Sequence, residues 1–89
     1  MLIVTDRVGI DARKLYTWWD GFQPPQGEEF LSELLDAFDG VDAGTLQGEP
    51  DLEVDPSGAV LRFELAYSEF YTIKDEQGND VAVHVRFPR

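Results

Sequence analysis

The chain has 89 residues, of which 43% are hydrophobic, enough for one hydrophobic core but not for two. Eighteen acidic residues against seven basic ones give a formal net charge of −11. This charge excludes nucleic acid and anionic membrane surfaces as expected ligands, because both would be repelled. The absence of cysteine excludes disulfides and thiolate metal sites. Without a spanning apolar run or a signal-peptide pattern, we expect one acidic, unprocessed domain over residues 1–89, soluble and cytoplasmic.

The first half of the chain predicts one strand and two helices. The β-branched stretch "LIVTDRV", bounded by Gly9, indicates a strand. Asp11 is placed as the N-cap of a helix over "ARKLYTWWDGF", which Gly21 should end. After the connector "FQPPQG", the stretch "EEFLSELLDAFDG" predicts a second helix with Gly40 as its C-cap. Its expected apolar face consists of Phe30, Leu31, Leu34, Leu35 and Phe38.

The second half changes to a period of two, which is typical of strands. "DLEV" and "AVLRFELAY" flank the turn sequence "DPSG" and predict a hairpin. "EFYTIKDEQGNDVAVHVRF" predicts a second hairpin, with Val81, Val83, Val85 and Phe87 pointing inward and Ala82, His84 and Arg86 outward. The element order β-α-α-β-β-β-β favours an α+β domain in which two helices pack on one face of an antiparallel sheet.

The sequence offers few groups for catalysis or metal binding. Its one histidine, His84, is expected on the outer face of a strand, and no nucleophile, zinc or nucleotide motif is present. Asp51, Glu53 and Asp55 alternate as the first ligands of a calcium loop do, but Pro56 stands where such a loop needs glycine. We therefore expect a protein that is not an enzyme and that uses no cofactor or metal.

The acidic residues are concentrated in the middle of the chain. From Leu15 to Leu61 there are eleven acidic residues and no lysine or arginine. Halophilic adaptation or plain solubility would scatter acidic residues along the whole chain, and both remain alternatives to a basic protein partner. The residues expected to bind such a partner are Glu28, Glu29, Glu33, Asp36, Asp39, Asp42, Asp20 and Trp18.

The adjacent tryptophans are expected to have different roles. Neighbouring residues in a helix point about 100° apart, so Trp18 and Trp19 cannot enter the same core pocket. Trp19 shares a face with Leu15 and Tyr16 and is expected to be buried. Trp18 falls on the flank with Phe22, where it either packs locally or contacts a partner.

These features predict a non-enzymatic inhibitor or adaptor that occupies the basic channel of a nucleic-acid-binding protein or nuclease as a phosphate mimic. In architecture and charge the sequence resembles, in kind only, the nucleic-acid mimics encoded by phages and plasmids, which include anti-CRISPR, antirestriction and glycosylase-inhibitor proteins. An immunity protein or antitoxin that neutralises a basic toxin, and an acidic subunit of a larger assembly, are the alternatives. The sequence leaves these three, and the oligomeric state, open.

Overall fold

The computed structural model describes residues 1–88 and shows two helices packed on one face of a five-stranded sheet. In chain order the elements are β1 (Leu2–Val4), α1 (Asp6–Phe22), α2 (Gln26–Ala43), β2 (Glu49–Pro50), β3 (Val60–Glu64), β4 (Glu69–Lys74) and β5 (Asp80–Arg86). The strand order across the sheet is β1-β5-β4-β3-β2. The α+β class and the predicted order of elements are therefore confirmed.

The sheet is mixed, so the prediction of a purely antiparallel sheet is wrong at one edge. β1 pairs with β5 in parallel, with Leu2 opposite Asp80 and Val4 opposite Ala82. The other neighbouring strands pair antiparallel. The alternation of residues along a strand does not encode the direction of a partner that is distant in sequence. The pairing of the first and last strands is therefore decided by how the whole chain packs.

Helix α1 begins earlier than predicted. It starts at Asp6, directly after β1, and Gly9 lies inside it rather than at its boundary. A glycine inside a helix costs about 1 kcal/mol relative to alanine. The burial of Val8 between the helices and the sheet offsets this cost. Asp11 is consequently not an N-cap, because it lies in the second turn of α1 and is buried there.

Helix α2 extends beyond the predicted end at Gly40. Its C-cap is Gly44, which adopts the left-handed conformation with φ 77°, as is common at a helix end. Gly40 remains helical and lies against Leu46, since a Cβ added at Gly40 would be 3.1 Å from the Leu46 Cβ atom. Leu35 was predicted to face the core but is exposed. The buried side chains of α2 are Phe30, Leu34, Ala37, Phe38 and Val41.

A β-bulge changes the predicted faces of β5. Tyr71 pairs with His84 whereas Thr72 pairs with Ala82, so Val83 is an extra residue between the two pairs. The bulge turns Ala82 toward the helices, where it is fully buried, and the prediction that Ala82 points outward is wrong. Beyond the bulge, Val85 is buried as predicted.

The segment "DLEV" forms a turn instead of the predicted strand. The side chain of Asp51 accepts a hydrogen bond from the Val54 amide at 3.2 Å, and its carbonyl accepts one from the Asp55 amide at 2.9 Å. These bonds compete with a sheet ladder for the same backbone groups. The strand that pairs with β3 is instead β2, immediately before this turn. The "DPSG" turn forms as predicted, with the Gly58 amide bonded to the Asp55 carbonyl.

The core lies between the two helices and the inner face of the sheet. Phe70 is at its centre, with its ring 5.0 Å from that of Phe38 and 4.6 Å from that of Phe63, measured between centroids. Trp19 lies at the edge of this core and donates a hydrogen bond from Nε1 to the Tyr67 carbonyl at 3.0 Å. Among residues 1–88, no helix combines the length and the apolar character needed to cross a membrane.

Candidate functional site

A shallow groove runs along the solvent side of α2, beside the loop that joins β3 to β4. Its volume is about 660 Å³. We call it the acidic groove, and its lining residues are Pro25, Glu28, Glu29, Ser32, Glu33, Asp36 and Tyr67. Four of these seven residues carry a carboxylate. The structure thus brings half of the predicted partner-binding residues to one surface.

Two carboxylates of the groove have internal partners. Glu33 accepts hydrogen bonds from the backbone amides of Ala66 and Tyr67, at 3.1 and 3.0 Å. Glu29 accepts one from the Tyr67 hydroxyl at 2.6 Å, and this bond raises the pKa of the Tyr67 hydroxyl above its usual value. Both side chains therefore hold the β3–β4 loop against α2. Replacing either Glu29 or Glu33 would therefore loosen the β3–β4 loop as well as remove a charge from the groove.

Three other acidic residues of α2 have no such role. Glu28, Asp36 and Asp39 are exposed, and within residues 1–88 none of them forms an ion pair with a lysine or arginine. Lys74 and the arginines that do form ion pairs have their partners outside α2. The charge of this face of α2 is therefore not neutralised by side chains of the described part of the chain.

The two remaining predicted acidic residues lie away from the groove. Asp42, at the end of α2, accepts a hydrogen bond from the Leu2 amide at 2.6 Å and lies 3.8 Å from the N-terminal ammonium. Asp20 packs closely against α2 at Gly27, since a Cβ added at Gly27 would lie 2.9 Å from the Asp20 Cβ atom. Asp42 thus holds the start of β1 against α2, and Asp20 belongs to the contact between the helices.

Exposed aromatic side chains form a second surface at the end of α1. Trp18, Phe22 and Phe87, which we call the aromatic patch, are 50%, 66% and 43% exposed. The Trp18 ring stacks on Phe22 at 5.5 Å and meets Phe87 edge-on at 4.9 Å. Trp19 is more buried and contacts the Trp18 ring at 5.0 Å. Trp19, which was predicted to be buried, is partly buried against the core, and Trp18 lies on the flank as predicted.

A polar network that was not predicted from the sequence surrounds a buried carboxylate on the outer face of the sheet. Glu69 is fully buried and accepts a hydrogen bond from the Tyr71 hydroxyl at 2.9 Å. Its oxygens lie 3.8 Å from Nη1 of Arg62 and 3.5 Å from Nε of Arg86. Arg86 also lies over the Tyr71 ring. Nothing in the local sequence distinguishes Glu69 from an exposed strand residue, because burial here comes from the surrounding side chains.

A second missed residue, Asp11, joins α1 to β5. One carboxylate oxygen accepts a hydrogen bond from the Val85 amide at 3.1 Å and lies 2.7 Å from Nδ1 of His84, and the other accepts one from Nε of Arg7 at 3.1 Å. β1 covers β5 only from Asp80 to Ala82, so the Asp11 carboxylate substitutes for a neighbouring strand at Val85. The spacing of Asp11 from Val8 and Leu15 was the available signal, since residues at i, i+3 and i+7 share one face of a helix.

Acidification below about pH 4 is expected to reduce the free energy of unfolding. Burial raises the pKa of Asp11, but the hydrogen bonds from Val85, His84 and Arg7 outweigh it, so the pKa is lowered overall. Hydrogen bonds from Asn79 and Gln77 lower the pKa of Asp75 as well. A carboxyl group with a lowered pKa in the folded state stabilises the fold above its unfolded pKa, and this stabilisation is lost as pH falls through the folded value.

Urea unfolding at several pH values between about pH 7 and pH 3 measures this loss. The Asp11→Asn variant should lose less stability over that interval than the wild type, since the amide does not titrate. An unchanged urea midpoint in the wild type across the interval would contradict the prediction.

Neither a metal site in the described part of the chain nor a similar protein of known function indicates a more specific role for this chain. No group of three or more histidine, aspartate or glutamate side chains in residues 1–88 is arranged to hold a metal ion. The sequence matches no model of a protein family, and no curated protein sequence is significantly similar to it. The fold and the site therefore define a small acidic α+β domain with an uncompensated anionic helix face and an adjoining aromatic patch.

Proposed function

We propose that this protein is a non-enzymatic inhibitor or adaptor of the cytoplasm that binds a basic protein through α2. The acidic groove and the exposed carboxylates beyond it occupy the site on the partner that the phosphates of a nucleic acid would fill. The observation that carries the proposal is that Glu28, Asp36 and Asp39 are exposed and have no ion pair within the described residues.

Uncompensated carboxylates are suited to this role for an energetic reason. A carboxylate in an internal ion pair would have to exchange one cation for another on binding, with little net gain. Glu28, Asp36 and Asp39 can meet arginine or lysine of a partner without breaking such a pair. Along α2, Glu29, Glu33, Asp36 and Asp39 follow one another at intervals of three or four positions. Residues so spaced on a helix are about 5–6 Å apart, close to the separation of successive phosphates along a nucleic-acid strand.

The partner can be identified by capture from a cell lysate at low and high salt, followed by a competition assay with nucleic acid. We expect a basic nucleic-acid-binding protein, captured at low salt and released as salt rises, because surface charges are screened over about 8 Å at physiological ionic strength. Adding this protein should displace DNA or RNA from the captured partner. Capture of a basic toxin would support an immunity protein instead, and a direct gel shift of nucleic acid by this protein would contradict the mimic.

The decisive variant removes only the uncompensated charges. Changing Glu28 to glutamine together with Asp36 and Asp39 to asparagine should weaken binding to the partner by about 2–5 kcal/mol, because each loss leaves a partner cation without its counter-charge. The hydrogen bonds of Glu29 and Glu33 to the loop remain in this variant. The free energy of unfolding should therefore change little. Isothermal titration calorimetry with the captured partner measures the affinity.

A matched control changes Asp6 to asparagine and both Glu49 and Glu76 to glutamine. These residues are exposed and lie outside α2, and the control loses the same number of charges. If affinity depends only on total charge, both variants will weaken binding equally, and the proposed role of α2 is then wrong.

A further inference from the structure

The exposed aromatic patch is linked to the acidic groove through the side chains of Trp19 and Tyr67. Trp19 links the two parts, because its ring lies 5.0 Å from that of Trp18 and 5.2 Å from that of Tyr67. The Tyr67 hydroxyl in turn donates a hydrogen bond to Glu29 at 2.6 Å. A partner segment that pairs with the groove at Tyr67 can therefore reach the exposed rings of Trp18 and Phe22.

The aromatic residues at the end of α1 differ in how much they contribute to the fold. Trp19 donates its indole hydrogen bond to the Tyr67 carbonyl and packs against the core. Trp18 and Phe22 stack on each other, yet at least half of each side chain is exposed. Aromatic rings that remain exposed, next to one another and beside a charged groove, are typical of interaction surfaces.

From this arrangement we infer that the aromatic patch is an arginine-selective docking site for a basic segment of the protein partner. The inference rests on the proposed function and specifies which cation the partner presents. A planar guanidinium can stack on an aromatic ring while its N–H groups bond to carboxylates, whereas an ammonium is a compact and strongly hydrated charge that stacks less well. An arginine side chain that stacks on Trp18 or Phe22 and bonds to a carboxylate of the groove uses both properties.

Charge around the patch sets the direction from which the segment enters. Lys14 lies one helical turn before Trp18 on α1 and repels a cation on that side. The Tyr67 and Glu29 side carries negative charge. The basic segment therefore extends from the patch along the acidic groove. A second copy of this chain does not fit this site, because its net charge is also strongly negative.

The test compares hexaarginine and hexalysine peptides, which carry the same side-chain charge, by calorimetry and by NMR of the two tryptophan indole N–H groups. We expect hexaarginine to bind about threefold to tenfold more tightly at the same ionic strength. The indole signal of Trp18 should shift more than that of Trp19, whose N–H group is already bonded inside the protein. Trp18→Ala and, separately, Phe22→Ala should each reduce the preference for hexaarginine, and the double variant should make the two peptides bind equally.

Ile10→Ala is the matched control, because Ile10 is comparably exposed on the same helix and lies about two turns from Trp18. It should leave the preference for arginine unchanged. Three results would overturn the inference. The two peptides could bind the wild type equally, hexaarginine could fail to bind at physiological salt, or the preference for arginine could survive both aromatic substitutions. Far-UV circular dichroism establishes that each variant is folded. If Trp18→Ala unfolds, Phe22→Ala still tests the inference, because it removes the more exposed ring.

The same peptides separate this inference from the proposed function. Neutralising Glu28, Asp36 and Asp39 should weaken both peptides together while the preference for arginine persists. If that variant binds hexaarginine as tightly as the wild type does, α2 fails as the anionic surface while the aromatic site stands. If the peptides bind equally but both weaken in that variant, the aromatic site fails and the anionic surface stands.

Discussion

Replacing Phe70 by alanine is expected to lower the free energy of unfolding by about 3–5 kcal/mol. Phe70 is fully buried at the centre of the core and contacts the rings of Phe38 and Phe63. Removal of its ring loses buried apolar surface and leaves a cavity between the sheet and α2 that neighbouring side chains cannot fill completely. Urea unfolding followed by circular dichroism measures the change.

Ile73 provides a control on the same strand. It belongs to β4 but faces away from the helices and is partly exposed, so Ile73→Ala should cost about 1 kcal/mol or less. If Phe70→Ala is too unstable for a folded baseline, Phe70→Leu reduces the cavity and should still be clearly less stable than the wild type. Equal effects of Phe70→Ala and Ile73→Ala would show that the core is not centred on Phe70.

The second large effect is expected at Asp11, where Asp11→Ala should cost about 2–3 kcal/mol of unfolding free energy. The substitution leaves the buried Val85 amide without its acceptor and removes the bonds to His84 and Arg7. An unsatisfied buried donor costs about 1–3 kcal/mol by itself. Hydrogen exchange of the Val85 amide should become faster in the variant, which connects the loss of stability to this particular bond.

Asp6→Ala is the comparison for Asp11→Ala. Asp6 is an exposed acidic residue in the first turn of the same helix, and its interaction with the helix dipole contributes only about 0.3–1 kcal/mol. Asp11→Asn retains a side-chain oxygen acceptor and should fall between the two. If Asp11→Ala costs no more than Asp6→Ala, the carboxylate does not stabilise the end of β5.

The acidic residues divide into two groups according to their neighbours. Asp11, Glu29, Glu33 and Glu69 accept hydrogen bonds that hold helices, strands and loops together. Glu28, Asp36 and Asp39, which are exposed on α2, contribute no comparable bond within the described chain and repel neighbouring carboxylates. Repulsion among like charges on a helix is destabilising by a few tenths of a kcal/mol per pair. Folding stability therefore does not explain their concentration on one helix face, whereas the proposed function would account for it.

The sequence by itself determined the elements whose signals are local. The alternation through Leu61 and Phe63, the turn at Asp55 and Gly58, and the apolar period of α2 each reflect interactions within a few residues of the chain. The orientations of Trp18 and Trp19 follow from helix geometry alone, and the structure agrees with them. The concentration of acidic residues in the middle of the chain, and so the candidate acidic surface, was also evident at this level.

Only the tertiary structure decided the features that depend on residues distant in sequence. The parallel pairing of β1 with β5 and the hydrogen bond from the Val85 amide to Asp11 join parts of the chain about seventy or more positions apart. The bulge at Val83 changes the register within the sheet. The same holds for Glu33, which looks like any exposed helix residue until the β3–β4 loop folds onto it. The helix period places a carboxylate on a face, but what covers that face depends on the packing of the rest of the chain, because burial and hydrogen bonding are properties of the folded surroundings.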